Sequence, residues 1–135
     1  MSTQENVKQL ISMVVEGKFL EAIEKFYSDG ASMQENNQAP RVGISALLEN
    51  ERRALAFMSQ LRSRAVSHVV DGNRAAINWI FEFTDPEGVR RQLDEIAHHL
   101  WQDGKMWQDG KIVEERLFYD PAQRTAAFSP GRMGS

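Results

Sequence analysis

Near Arg62 the apolar residues of this chain stop recurring at helical spacing and begin to alternate. Upstream, Val7, Leu10, Ile11, Val14 and Val15 make one stripe and Phe19, Ala22, Ile23 and Phe26 a second. Ile44, Leu47, Leu48, Leu55 and Met58 make a third, so three amphipathic helices are expected. Downstream, Ala75, Ile77, Trp79, Phe81 and Phe83 share one face of a strand, and Leu93, Glu95, Ala97, His99 and Trp101 share one face of another. A period of 3.6 gives a stripe and a period of 2 gives a face, and each must be buried against something. Helices gathered at one end of the chain and strands at the other therefore predict an α+β domain, with an antiparallel sheet packed against the helices on one side. A strongly bent sheet of this kind encloses a cavity between itself and the helices.

The punctuation agrees. A helix is expected over residues 3–16, capped by Ser2 or Thr3 with Glu5 placed for a capping box to Ser2, and stopped by Gly17. A second follows over 18–27, then a turn at Ser28-Asp29-Gly30 and a short strand over 31–35. The third helix runs over 43–59, with the charged run Glu51-Arg52-Arg53 read as a solvated face. Four strands follow in a meander over 64–70, 74–84, 90–101 and 111–119, with turns at Asp71-Gly72-Asn73 and Asp85-Pro86-Glu87-Gly88. Between the last two strands stands a tandem repeat, Trp101-Gln102-Asp103-Gly104-Lys105-Met106 and Trp107-Gln108-Asp109-Gly110-Lys111-Ile112. Each copy carries Asp-Gly, a hairpin-turn dipeptide, so the chain holds two turn candidates where one suffices. A surplus of six residues is even, so later side chains keep their faces. The expected domain covers 1–121, and 122–135 reads as a poorly ordered tail.

Composition narrows the function classes. At 135 residues and 41% hydrophobic, the chain makes one globular domain. A net charge of −3 with scattered Lys and Arg argues against a nucleic-acid partner. The absence of Cys removes disulfides, thiol chemistry and thiolate zinc sites. No apolar run approaches a membrane span, and the polar start lacks a secretory signal, so a cytoplasmic protein is expected. There is no P-loop, dinucleotide-binding glycine motif, nucleophile elbow or His-Glu-x-x-His helix.

Several residues remain as candidates. Glu95 on an otherwise apolar face needs either a partner or a function, or else that face meets solvent or a second subunit. His99 shares its face, and a His beside a carboxylate can do acid–base work or be a hydrogen-bonded sheet residue. Because His98 and His99 point oppositely, they cannot chelate one metal together, and no cofactor is expected. Trp79 reads as core, interface or pocket wall. Asn78 and Glu82, on the opposite face of that strand, orient a ligand if their face looks into the cavity. Tyr27 and Tyr119 are hydroxyl donors near the cavity or structural hydrogen-bond partners.

Several pieces stand in a definite order and spacing: Gly17-Lys18, Phe26-Tyr27-Ser28-Asp29-Gly30-Ala31-Ser32, Gly43, Phe81-Glu82-Phe83-Thr84-Asp85, Asp109-Gly110-Lys111-Ile112-Val113-Glu114-Glu115-Arg116, and Phe118-Tyr119-Asp120. Together they resemble the NTF2-like superfamily, in its SnoaL-like polyketide cyclase and ketosteroid isomerase branch. The resemblance implies a cone-shaped cavity for a small hydrophobic molecule and a homodimer packed through the sheet, but no single activity. It places Glu35 where the steroid isomerases keep their general base, although Glu35 also reads as a solvated strand-end carboxylate. It places Leu10 and Ala97 where those isomerases keep their two oxyanion donors, and neither can donate. Two functions follow from the resemblance. One is a cofactor-independent acid–base enzyme using Glu35, or Glu95 with His99, on a ligand held by Tyr27, Asn78, Trp79 and Glu82. The other is a non-catalytic ligand-binding or assembly module.

Overall fold

The computed structural model describes residues 2–102 and 110–124. Helices α1 (Thr3–Val15), α2 (Phe19–Phe26) and α3 (Ile44–Phe57) lie on a six-stranded sheet built from β1 (Tyr27–Glu35), β2 (Arg41–Val42), β3 (Ser59–Asp71), β4 (Arg74–Thr84), β5 (Arg90–Gln102) and β6 (Lys111–Tyr119). A short 3-10 helix, Pro121–Arg124, follows. The α+β class is as expected.

Local chemistry sets the helix ends. Glu5 N donates to Ser2 Oγ at 3.1 Å and Ser2 N donates to Glu5 Oε2 at 3.4 Å, closing the capping box. Gly17, at φ +85°, ends α1 in a Schellman turn, with Lys18 N donating to the Met13 carbonyl and Gly17 N to that of Val14.

The sheet order is β2-β1-β6-β5-β4-β3. The meander is antiparallel, but β1 pairs parallel to β6, so the whole sheet is mixed. β2 and α3 separate β1 from the meander, so no tight turn links it to β6 and a parallel pairing is open to it. The turn expected at Ser28-Asp29-Gly30 lies inside β1. There the register against β6 jumps from Tyr27↔Ile112 to Ser32↔Glu114, so turn-forming residues make a bulge rather than a reversal. β3 begins at Ser59, earlier than the alternation suggests, and the two-residue β2 has no periodic signature.

Trp101, in the first repeat copy, is buried in β5, and Gln102 pairs with Lys111. Which copy turns the chain concerns residues 103–109, outside the described residues. The tail expected from 122 begins in the 3-10 helix, and 125–135 also lie outside them.

The core sits between the helices and the inner sheet face. Val7, Leu10, Ile23, Phe26, Leu47, Ile77, Trp79, Trp101 and Ile112 pack together there. No helix among the described residues is long and apolar enough to cross a membrane.

Candidate active site

The inner face of β5 presents Leu93, Glu95, Ala97, His99 and Trp101 toward the helices, and all are buried. A pocket of about 410 Å³ opens over this row. Its apolar wall comes from α1, α2 and the end of α3, together with Trp79, Phe81 and Phe83 of β4. Trp79 and Phe81 stack at 5.6 Å with an interplanar angle of 19°.

Glu95 lies opposite Trp79 in the β4–β5 register. It is 7% exposed, lines the pocket, and makes no side-chain hydrogen bond or ion pair among the described residues. Burial pushes its pKa up to about 8, helped by the charges of Glu115, Glu51 and Glu35 and opposed by Arg124. At neutral pH this side chain is a neutral carboxylic acid facing an apolar chamber.

Glu115 completes the inner end. Tyr27 Oη donates to Glu115 Oε2 at 2.6 Å, and His99 Nε2 lies 2.6 Å from the same oxygen. Oε1 of Glu115 has no hydrogen-bond partner among the described residues. Burial, and then the Glu115 charge, push the Tyr27 phenol well above its ordinary range. His99 is 1% exposed, and its Nδ1 has no partner among the described residues.

A β-bulge turns Glu115 inward. Leu100 pairs with Glu114 but Trp101 pairs with Ile112, leaving Val113 as the extra residue. Ile112 and Glu115 therefore both face inward although they are three residues apart. Strict alternation from Ile112 would have sent Glu114 into the pocket.

At the rim, Glu35 ends β1 and is tied on both oxygens. Arg41 Nη1 donates to Oε2 at 2.8 Å, while Tyr119 Oη at 3.2 Å and Arg124 Nη2 at 3.5 Å donate to Oε1. Both Glu35 oxygens are thus engaged, by two guanidiniums and a phenol at the rim. From α3, Glu51 and Arg53 also line the pocket; Arg52 and Arg53 are solvent-exposed as expected, and only Glu51 departs from the reading of that run as a solvated face. Glu51 shares the helix stripe with Leu47, Ala54 and Met58. Desolvation first, then Glu115 and Glu35, raise its pKa to about 7, with Arg124 opposing.

Among the expected residues, Tyr27, Glu35, Trp79, Glu95 and His99 line this one pocket. Asn78 and Glu82 do not. Asn78 Nδ2 donates to Asp94 Oδ1 at 2.7 Å and to the Glu95 carbonyl at 3.2 Å, and Glu82 lies 3.8 Å from Arg90. Both sit on the outer sheet face, because the aromatic face of β4 turns inward and alternation sends its neighbours out. The charges that sequence reasoning missed are Glu51, Arg41, Arg53, Glu115 and Arg124. Glu51 carried the same signal as Glu95, an acid on an apolar stripe, whereas the bulge left Glu115 none. Leu10 and Ala97 also line the pocket, so the two positions implied for oxyanion donors face it as hydrocarbon. Among the described residues no three His, Asp or Glu side chains are placed to hold a metal ion.

The SnoaL-like domain profile matches residues 7–115. No functionally curated protein matches the sequence. Similar solved structures include a Mesorhizobium loti protein assigned to the SnoaL-like polyketide cyclases, 22% identical, covering 88% of this chain and 100% of that one, with a TM-score of 0.70. SalBIII, an epoxide hydrolase/cyclase-like enzyme with a role in pyran ring formation in the polyether salinomycin, is 20% identical over 90% of this chain and 92% of its own, with a TM-score of 0.72. An NTF2-like protein from Burkholderia pseudomallei is 12% identical over 92% and 95%, with a TM-score of 0.77. At these identities the structural likeness shows a common fold.

Proposed function

Because this chain belongs to the SnoaL-like family, we propose that it is a cofactor-independent acid–base enzyme that closes or opens a ring at an oxygen of a small hydrophobic molecule. The observation that carries the reading is the pairing of two unlike carboxyl groups in one pocket. Among the described residues Glu95, held neutral by burial, has no side-chain partner, while Glu115 is held by Tyr27 and His99 through one oxygen and keeps the other without a partner. Carboxyl groups whose surroundings drive them to different protonation states divide into an acid and a base.

In this reading the ligand lies against Trp79 and Phe81. Glu95 gives its proton to an epoxide or carbonyl oxygen as the adjoining C–O bond breaks or the carbonyl is attacked. An O–H of water, or of the same molecule, adds to the carbon and loses its proton to Glu115. Glu95 ends ionised and Glu115 protonated, so the negative charge moves within the pocket instead of being created there, and one proton exchange with solvent restores the start. Tyr27 and His99 position Glu115. Pyran ring formation, in which the epoxide hydrolase/cyclase-like SalBIII has a role, is consistent with such chemistry. Glu35 plays a structural part, as the anchor of Arg41 and Arg124.

The test is turnover of a panel of hydroxy-epoxides, with cyclic ether and diol products followed by mass spectrometry. Glu95→Gln keeps the shape and removes the proton, and Glu115→Gln removes the base. Each is expected to lower turnover about 100-fold or more. Turnover equal to wild type in both variants would overturn the assignment. The non-catalytic alternative is favoured by one observation, the hydrocarbon of Leu10 and Ala97 where the steroid isomerases keep donors. It predicts saturable binding across the panel with no product. The reading includes a homodimer through the outer sheet face, where Ile96 and Phe118 are register partners and both exposed.

A further inference from the structure

Among the described residues, the polar rim of the pocket carries three guanidiniums, Arg41, Arg53 and Arg124, and no lysine. Arg41 is engaged by Glu35 at 2.8 Å. Arg124 reaches the same carboxylate only at 3.5 Å, the limit of a hydrogen bond. Arg53 makes no hydrogen bond among the described residues, and its charged neighbour, Glu49, stands 3.9 Å away. Two of the three therefore keep nearly all their N–H donors available at the pocket mouth. Arg124 stacks over the Tyr119 ring at 5.0 Å, and its charge is felt by both Glu51 and Glu95.

We propose that the ligand is a carboxylate-bearing amphiphile whose anionic group is held at the rim by Arg53 and Arg124, with its apolar body against Trp79 and Phe81. This deepens the acid–base reading and rests on it for the role of Glu95 alone. A carboxylate matches the planar fork of a guanidinium in a bidentate pair, and two sparsely engaged guanidiniums suit one negative group. An anion at this mouth would replace the long Arg124–Glu35 contact while leaving the Arg41–Glu35 pair in place. Anchoring one end of the molecule there places atoms a few bonds away beside Glu95. The rim would thus choose which oxygen receives the proton.

The experiment compares 2-naphthoate with its neutral isostere 2-naphthamide by ligand-observed NMR titration at pH 7.5 and low salt. Wild type is expected to bind the naphthoate about fivefold more tightly, the size of a partly solvated charge pair. Arg53→Gln and Arg124→Gln should each weaken that preference. The double variant should abolish it with naphthamide affinity kept within about twofold, which also shows that the pocket is still folded. Equal affinity for the two probes in wild type, a preference that survives the double variant, or binding of neither probe at millimolar concentration would each overturn the proposal. Equal affinity would leave the pocket and its acid untouched, because those are read by turnover in Glu95→Gln. A naphthoate preference alongside unchanged Glu95→Gln turnover would fail the acid–base reading and keep the rim.

Discussion

Replacing Glu95 by Gln should make the folded protein more stable, and increasingly so as the pH rises. Gln has the shape of a protonated Glu, so the packing beside Trp79 is kept and only the ionisation is removed. In the unfolded chain Glu95 releases its proton near its ordinary value of 4.5, while in the fold burial holds the proton to about 8. Between those values the native state binds the proton that the unfolded state has lost, so wild-type stability falls with rising pH. The decline begins near pH 4.5 and levels off above pH 8. At about 1.4 kcal/mol per tenfold change in proton affinity, the full difference is on the order of 5 kcal/mol, and about 3 kcal/mol is already present at pH 7. Urea denaturation of both proteins at pH 4, 6, 7 and 9 would measure it. The curves should coincide near pH 4, and the Gln variant should pull ahead through the window. A difference that stays constant with pH, or a wild type that gains on the variant as pH rises, would mean that Glu95 is ionised and paired in the native state. The acid assignment would then fall with it.

Tyr27→Phe removes one oxygen and leaves His99 as the one remaining partner of Glu115 among the described residues. A hydrogen bond to a charged acceptor is worth about 1.5–3 kcal/mol, so a melting temperature lower by roughly 5–10 °C is expected, and an unchanged melt would show that the 2.6 Å contact contributes nothing in solution. Ile96→Asp places a charge where an exposed residue of the outer face meets Phe118 in register. If that face joins two copies, light scattering should show a dimer for wild type and a monomer for the variant, and a monomeric wild type would dispose of the interface.

Much of the architecture was legible in the residue order. The capping box of Ser2 and Glu5 and the stop at Gly17 are local events, settled within one helical turn. The faces of β4 and β5 followed from alternation alone, and Glu95 stood out because an acid on an apolar face needs an explanation. Alternation was less informative in β6, where one bulged residue at Val113 reversed which side chains point inward and hid Glu115. It was also silent on the choice between the two faces of β4. That is why Asn78 and Glu82 were expected beside Trp79 although the three cannot share one side.

The sequence by itself determined the class of fold, the order of its layers and the membership of each strand face, because periodicity reports how side chains are oriented relative to others on the same element. Only the tertiary structure decided what stands opposite them. The parallel pairing of β1 with β6 set Tyr27 and Glu35 on one side of the pocket, the bulge turned Glu115 to meet Tyr27 and His99, and the packing of α3 carried Glu51 and Arg53 to the opening. A proton stays on Glu95 because those distant parts of the chain close around it and exclude water, and such proximity has no local signature in the order of residues.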